Sequence, residues 1–414
     1  MRMETSRGNR IHIAIFGKQN VGKSSIINTL TQQEVATVSE ILGTTTDPVY
    51  KSMELLPLGP VVLIDTAGLN DESELGEKRV ERTKKMMNKT DIALYVFDIN
   101  EQVDKADLGT IDSLKARNIP VIALFNKLDE RVIPVDELEA KAKNLGIPYI
   151  FVSAKNGDGF QGLKELLAMS YNQQETPRTL IGDLVSSGGV VVLVTPIDKA
   201  APKGRLILPQ QQTIRDLLDH GAISIITREI ELEQTLKKFG DHVELVVTDA
   251  QVFDIVNKTV PDHLPLTSFS ILFARFKGEL ETLVKGISQI KRLQPNDKVL
   301  ICEACTHHRA EGDIGKDKIP RLLRQLSGVD LAFTWYSGTG FPDDDEISSC
   351  DFIVHCGGCM INQKEMQYRL SQAAKYRIPI VNYGVFFAYA SDALQRALEP
   401  FPEILAILDG VGSL

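Results

Sequence analysis

The stretch IHIAIFGKQNVGKSSIINTLT, residues 11–31, passes from an apolar strand-like run through G-x-x-x-x-G-K-S into a helix-like run. A strand that empties into a glycine-bearing turn and then a helix N-terminus forms a phosphate cradle, because successive backbone N–H groups point into the turn and the helix dipole favours negative charge. Within Gly17–Ser25 the roles divide by chemistry. Backbone groups of Gly17, Asn20, Val21, Gly22 and Ser25 are assigned to the nucleotide, Lys23 reaches its outer phosphates, and the Ser24 hydroxyl holds magnesium.

Working outward, the apolar runs VVLIDTAG, IALYVFDI, PVIALFNK and PYIFVSA alternate with polar, helix-like stretches as far as about Tyr171. Such alternation predicts an α/β domain with a mostly parallel, doubly wound sheet covered on both faces. Three of these runs end in a motif. In DTAG, Asp65 is placed to hold magnesium through water and the Gly68 N–H to touch a γ-phosphate. GTTTD, residues 43–47, supplies Thr45 to complete the magnesium shell as a switch that orders around the γ-phosphate. In NKLD, residues 126–129, Asp129 can accept hydrogen bonds from both N1 and N2 of guanine, a donor pair that adenine lacks, with Asn126 and Lys127 assigned to the same nucleotide. Losing a hydrogen bond to a charged group costs more than about 1.5 kcal/mol, so a preference for GTP over ATP of well over tenfold is expected. SAK, Ser153, Ala154 and Lys155, closes over the base.

Together these motifs resemble the small GTPases. The residue after DTAG is Leu69, where a glutamine could have oriented water, so hydrolysis requires another group. Asn20 together with GTTTD resembles the Era- and tRNA-modification-type GTPases, which implies a potassium ion held partly by Asn20. Glu77 lies at that branch's approximate position for a water-orienting acid, although EKRVERTKK, residues 77–85, also reads as an ordinary charged helix.

The 414 residues allow two to four domains, and 43% hydrophobic with 24% charged residues is ordinary globular composition. No apolar run is long enough to span a bilayer, and MRMETSRGNR has no secretion-signal core, so a cytoplasmic protein is expected. A net charge of −9 gives no general attraction to nucleic acid. Composition shifts divide the chain into a P-loop GTPase domain (1–172), a smaller α/β segment (180–265) read as a scaffold or self-association domain, and a C-terminal α/β segment (266–414). The last contains KVLICEAC, LAFTWYSG, DFIVHCGGC and IPIVNYGV as further strands.

Four of the five cysteines spell C-x-x-C…C-x-x-C: Cys302, Cys305, Cys356 and Cys359. That pattern suits a closed tetrahedral zinc site. An odd spacing within a strand puts Cys302 and Cys305 on opposite faces, however, and leaves Cys302 readable as a core residue. Cys305, Cys356 and Cys359 then remain at strand ends beside His307, His308 and His355. Three thiolates with an open fourth position suit an iron-sulfur cluster with an exchangeable iron. Cys350 has no partner at motif spacing.

CTH at 305–307 followed by HCGGC at 355–359, in one chain with an N-terminal GTPase, resembles the HydF family of [FeFe]-hydrogenase maturation GTPases. The resemblance spans the chain and implies a GTPase domain, a dimerisation domain and a C-terminal iron-sulfur domain, in a homodimer or higher homo-oligomer. It implies a [4Fe-4S] cluster on Cys305, Cys356 and Cys359; His307 and His355 are candidates for the fourth iron by proximity, and Asp198 is a further oxygen-ligand candidate if its loop reaches the cluster. It also implies a transient diiron subcluster precursor, received from radical-SAM hydrogenase maturases and delivered to apo-[FeFe]-hydrogenase, with GTP, Mg²⁺ and K⁺ as further ligands. The competing expectation is a ribosome- or tRNA-associated GTPase with a structural four-cysteine zinc domain.

Overall fold

Strict alternation builds the N-terminal sheet. Along β1 (Ile11–Gly17), Ile11, Ile13 and Ile15 enter one apolar core while Ala14 and Phe16 enter the core on the opposite face. The same division holds in β5 (Ile92–Asp98), with Ile92, Leu94 and Val96 against Ala93, Tyr95 and Phe97. A strand apolar on both faces must be covered on both. One face is covered by helices Lys23–Gln33 and Phe160–Asn172 through Ile26, Leu30, Phe160 and Leu163. Helices Lys105–Lys115 and Val135–Lys143 cover the other through Ile111, Leu114 and Leu138.

The computed structural model describes residues 7–33, 39–41, 49–66, 83–172, 179–197, 206–304, 314–338 and 340–412. They fall into two compact units, 1–176 and 177–414. The remaining strands of the first unit are β2 (Ser39–Ile41), β3 (Val49–Leu55), β4 (Gly59–Asp65), β6 (Val121–Asn126) and β7 (Tyr149–Phe151), in the sheet order β2-β3-β4-β1-β5-β6-β7. From β4 to β7 all neighbours are parallel, whereas β2 and β3 form an antiparallel edge. β3, VYKSMEL, carries Lys51 and Glu54 and so escapes a search for uninterrupted apolar runs.

The second unit carries two four-stranded parallel sheets. The first has the order β11-β10-β8-β9, from β8 (Val190–Val194), β9 (Ile223–Thr227), β10 (Val243–Thr248) and β11 (Leu266–Ser268). The second has the order β13-β12-β14-β15, from β12 (Lys298–Glu303), β13 (Ala332–Ser337), β14 (Phe352–His355) and β15 (Ile380–Asn382). One continuous apolar core runs from Leu180 to Ile404 and draws on both sheets. The helix Leu394–Ala397 is tied to the first sheet's region by polar bonds: Thr267 donates to the buried Ala397 carbonyl at 3.0 Å, and Arg396 donates to the Val260 and Pro261 carbonyls, each at 2.7 Å. No described helix is long and apolar enough to cross a membrane.

Candidate functional site

The phosphate loop leaves β1 at Gly17 and enters its helix at Lys23. Asn20 sits at φ +60°, the left-handed turn that lets the loop fold back on itself. Gly22 is obligatory by packing, since a Cβ there would lie 2.3 Å from Asn126 Nδ2. Lys23 is 5% exposed and donates to the Gly17 carbonyl at 2.8 Å and to the Lys18 carbonyl. Burial holds its pKa below the usual lysine value, opposed in part by the nearby Asp65 carboxylate. The Ser24 hydroxyl donates to Asp65 Oδ2 at 2.9 Å, so the strand end and the helix start bring two magnesium-type oxygens together.

The base-reading loops are tied to that cradle by one side chain. Asn126, 2% exposed at the end of β6, donates from Nδ2 to the Val21 carbonyl at 2.9 Å and accepts at Oδ1 from the Ala154 N–H at 3.0 Å. Thr29 adds a second tie, donating to the Ala154 carbonyl at 2.7 Å. Ser153 donates to Asp129 Oδ1 at 2.6 Å, and Lys155 lies 3.7 Å from the same carboxylate. The Ser153 hydrogen bond is the main cause that holds the Asp129 carboxyl below the usual range. Asp129 is therefore an ionised acceptor at neutral pH, as a guanine reader must be. Lys127 turns at φ +68° and pairs with Asp98 at 2.6 Å, which fixes the loop between Asn126 and Asp129. Thr45, Gly68 and Glu77 lie outside the described residues, as do Asp198, Cys305 and His307.

In the second unit β12 and β14 are parallel neighbours with Cys302 opposite His355, and the Cys356 N–H donates to the Cys302 carbonyl at 2.8 Å. Cys302 is 1% exposed in the apolar core, and burial pushes its thiol pKa up. Cys356 is placed differently. Its Sγ accepts from the Ala304 N–H at 3.1 Å and the Gly358 N–H at 3.4 Å, the pattern that steadies a thiolate or a metal-bound sulfur. Gly358 at φ +65° makes the turn that brings its N–H back to that sulfur. Cys359 ends the turn, with burial raising its thiol to about 11.

His355 is fully buried and both its ring nitrogens are engaged. Nδ1 donates to the Cys356 carbonyl at 2.6 Å and Nε2 accepts from Arg369 at 3.0 Å, which fixes the Nδ1–H tautomer. Arg369 is itself fully buried and donates to Glu365 at 2.5 Å. On the other side of the turn the Lys277 ammonium, 1% exposed, donates to the carbonyls of Cys359 at 3.1 Å and Ile361 at 2.9 Å. Among the described residues no three His, Cys, Asp or Glu side chains gather as a metal-binding group, Cys305 lying outside them. The donor set nevertheless fits a thiolate-held anionic cluster: two cysteines on one turn, two amide donors on the Cys356 sulfur, and a buried cation behind the turn.

Residues 180–278 match the hydrogen maturase F dimerization domain and residues 281–400 the hydrogen maturase F tetramerization domain. The chain belongs to the hydrogen maturase F family. Residues 12–127 match a 50S ribosome-binding GTPase domain, so a GTPase domain precedes the two hydrogen maturase F domains. Similar curated proteins are tRNA modification GTPases MnmE. That of Desulfotalea psychrophila is 29% identical over 59% of this chain and 50% of its own length, and that of Heliobacterium modesticaldum is 33% identical over 53% and 47%. The chain thus spans about half the length of these relatives. Among solved structures, the G domain of the T. maritima FeoB iron transporter is 25% identical, covering 39% of this chain and 99% of that one at TM-score 0.30. Translation elongation factor SelB from Methanococcus maripaludis is 22% identical, covering 43% and 36% at TM-score 0.33.

For this hydrogen maturase F chain the sequence reading found the cysteines and missed what lies behind them. Lys277 closes the apolar run FSILFARFK, where a cation among core positions is the signal. Glu365 and Arg369 stand four apart, a spacing that usually marks a solvated ion pair, and only the fold buries them. Arg369→Met is expected to destabilise the second unit by about 3–5 kcal/mol, because it removes the buried cation to which Glu365 and His355 are both bonded. Urea unfolding checks this, and a midpoint unchanged from wild type would contradict it.

Proposed function

We propose that the protein is a GTP-hydrolysing scaffold that holds a [4Fe-4S] cluster on Cys305, Cys356 and Cys359 and carries a diiron subcluster precursor to apo-[FeFe]-hydrogenase. Radical-SAM maturases supply the precursor, and the setting is the cytoplasm. Membership of the hydrogen maturase F family, joined to the Cys356–Cys359 turn with its amide donors and buried cation, carries this reading. When bound, the cluster supplies an iron with an exchangeable ligand, to which a second metal fragment can attach. The chain's own task is to hold three thiolates and keep the turn rigid through His355 and Lys277. With both ring nitrogens of His355 occupied, its role is to order the loop. His307 and Asp198 remain the candidates at the fourth iron.

In the GTPase domain Lys23, Ser24, Asp65 and Thr45 bind the phosphates and Mg²⁺, Gly68 senses the γ-phosphate, and Asp129 selects guanine. Potassium at Asn20 and water orientation by Glu77 make up for the missing glutamine at Leu69. Hydrolysis is therefore expected to run at least several-fold faster in potassium than in sodium. Equal rates would remove the role given to Asn20. Self-association fits the first sheet of the second unit, whose edge strand β9 exposes Ile223 and Ile226 beside Ile230 and Phe239.

Anaerobic reconstitution with iron and sulfide tests the cluster. The expected product is a brown protein with about four irons per chain, unaffected by Cys302→Ser and bleached by Cys305→Ser. A closed four-cysteine zinc site would need the buried Cys302 thiolate, and colourless protein with one tightly held zinc would favour it and sink the cluster reading.

A further inference from the structure

The helix Phe269–Lys277 is apolar on its packed face, with Phe269, Ile271, Leu272, Phe273 and Ala274 buried, and its last residue is a lysine as buried as they are. Burying an ammonium is costly unless its three donors find acceptors. Those of Lys277 go to the carbonyls of Gly358 at 3.4 Å, Cys359 at 3.1 Å and Ile361 at 2.9 Å, and the ammonium lies 5.5 Å from the Phe273 ring centre. All three acceptors belong to the single turn that follows Cys356. Carbonyl dipoles satisfy the donors but leave a unit positive charge in place. The same turn carries the Cys356 and Cys359 sulfurs, which become negative when a metal binds them.

We propose that Lys277 is a positioning residue for the cluster: it braces the turn that carries Cys359 and sets a fixed positive charge beside the anionic thiolate-held group, which favours the group's reduced, more negative state. This rests on the cluster reading above. One electron from an external reductant such as dithionite makes the bound group more negative by one charge, and the ammonium attracts that product more strongly than its precursor.

The test uses the full chain, reconstituted anaerobically as wild type, Lys277→Arg, Lys277→Gln and Lys277→Met, with folding followed by circular dichroism, iron content measured, and reduction followed by spectroscopic redox titration with dithionite. Lys277→Gln keeps N–H donors for the carbonyls and removes the charge. It should retain iron, while at a fixed potential its ratio of reduced to oxidised cluster falls about tenfold, a midpoint lower by about 59 mV for one electron. Lys277→Met should also lose iron at limiting supply, and Lys277→Arg should restore both properties. Wild-type iron and an unshifted midpoint in the glutamine variant would overturn the role of Lys277 while leaving the cluster standing. Wild-type protein that takes up no iron would overturn the cluster reading and this inference together.

Discussion

Lys23→Ala lowers GTP hydrolysis at least a hundredfold at saturating GTP while leaving iron uptake at the wild-type level. The loop geometry sets the size of the loss. Lys23 is the cation of the phosphate cradle, held at the Gly17 carbonyl and 5% exposed, where an electrostatic contact acts with little screening by water. Removing one preorganised donor from such a position typically costs about 10²–10³ in turnover. Iron uptake is spared because the two compact units have separate apolar cores, and the cysteine turn belongs to the second. Steady-state phosphate release and iron content, measured on the same preparation, check both halves. Simultaneous loss of hydrolysis and cluster would mean that the units do not fold independently.

Asp129→Asn weakens GTP binding about a hundredfold or more and shifts preference toward a xanthine nucleotide. The carboxylate offers two acceptors to the N1–H and the N2 amine of guanine, and the Ser153 hydrogen bond keeps it ionised and aimed. An asparagine keeps one acceptor and turns one donor toward the amine, so two donors face each other. Xanthine carries an oxygen at that position and accepts the new donor. Sites that recognise a ligand by paired hydrogen bonds reject the mismatched ligand by large factors, because the unmatched groups stay desolvated. Competition binding among GTP, XTP and ATP reads the change, and undiminished GTP affinity in the variant would place base recognition elsewhere. The sign of the pH dependence follows from the same carboxylate. With its folded pKa below the ordinary value, its contribution is fully present above about pH 4 and fades only as pH falls through the lower, folded value.

The central parallel strands of the first unit, β1, β5 and β6, were legible because each is a short apolar run, and burial on both faces leaves no polar alternation to blur it. β3 was not, since Lys51 and Glu54 interrupt it and its pairing depends on the hairpin to β4. The odd spacing of Cys302 and Cys305 already separated their roles, and the core position of Cys302 agrees with that separation. What a linear chain does not carry is the depth of a charge. Glu365 and Arg369 have the spacing of a surface pair, yet the helix Gln363–Lys375 turns both inward, where Arg369 fixes the His355 tautomer. The carbonyl cage around Lys277 is likewise assembled from residues more than eighty positions away, Gly358 to Ile361.

Placing the GTP site and the cysteine turn in one chain matters only if the second site carries cargo. The direct measurement is to load the full protein with cluster and, with the radical-SAM partners supplied, mix it with apo-[FeFe]-hydrogenase and follow hydrogen evolution. Activation that is present with wild-type protein and lost with Cys356→Ser is the predicted result; hydrogenase that stays inactive beside fully loaded wild-type protein would contradict the carrier role.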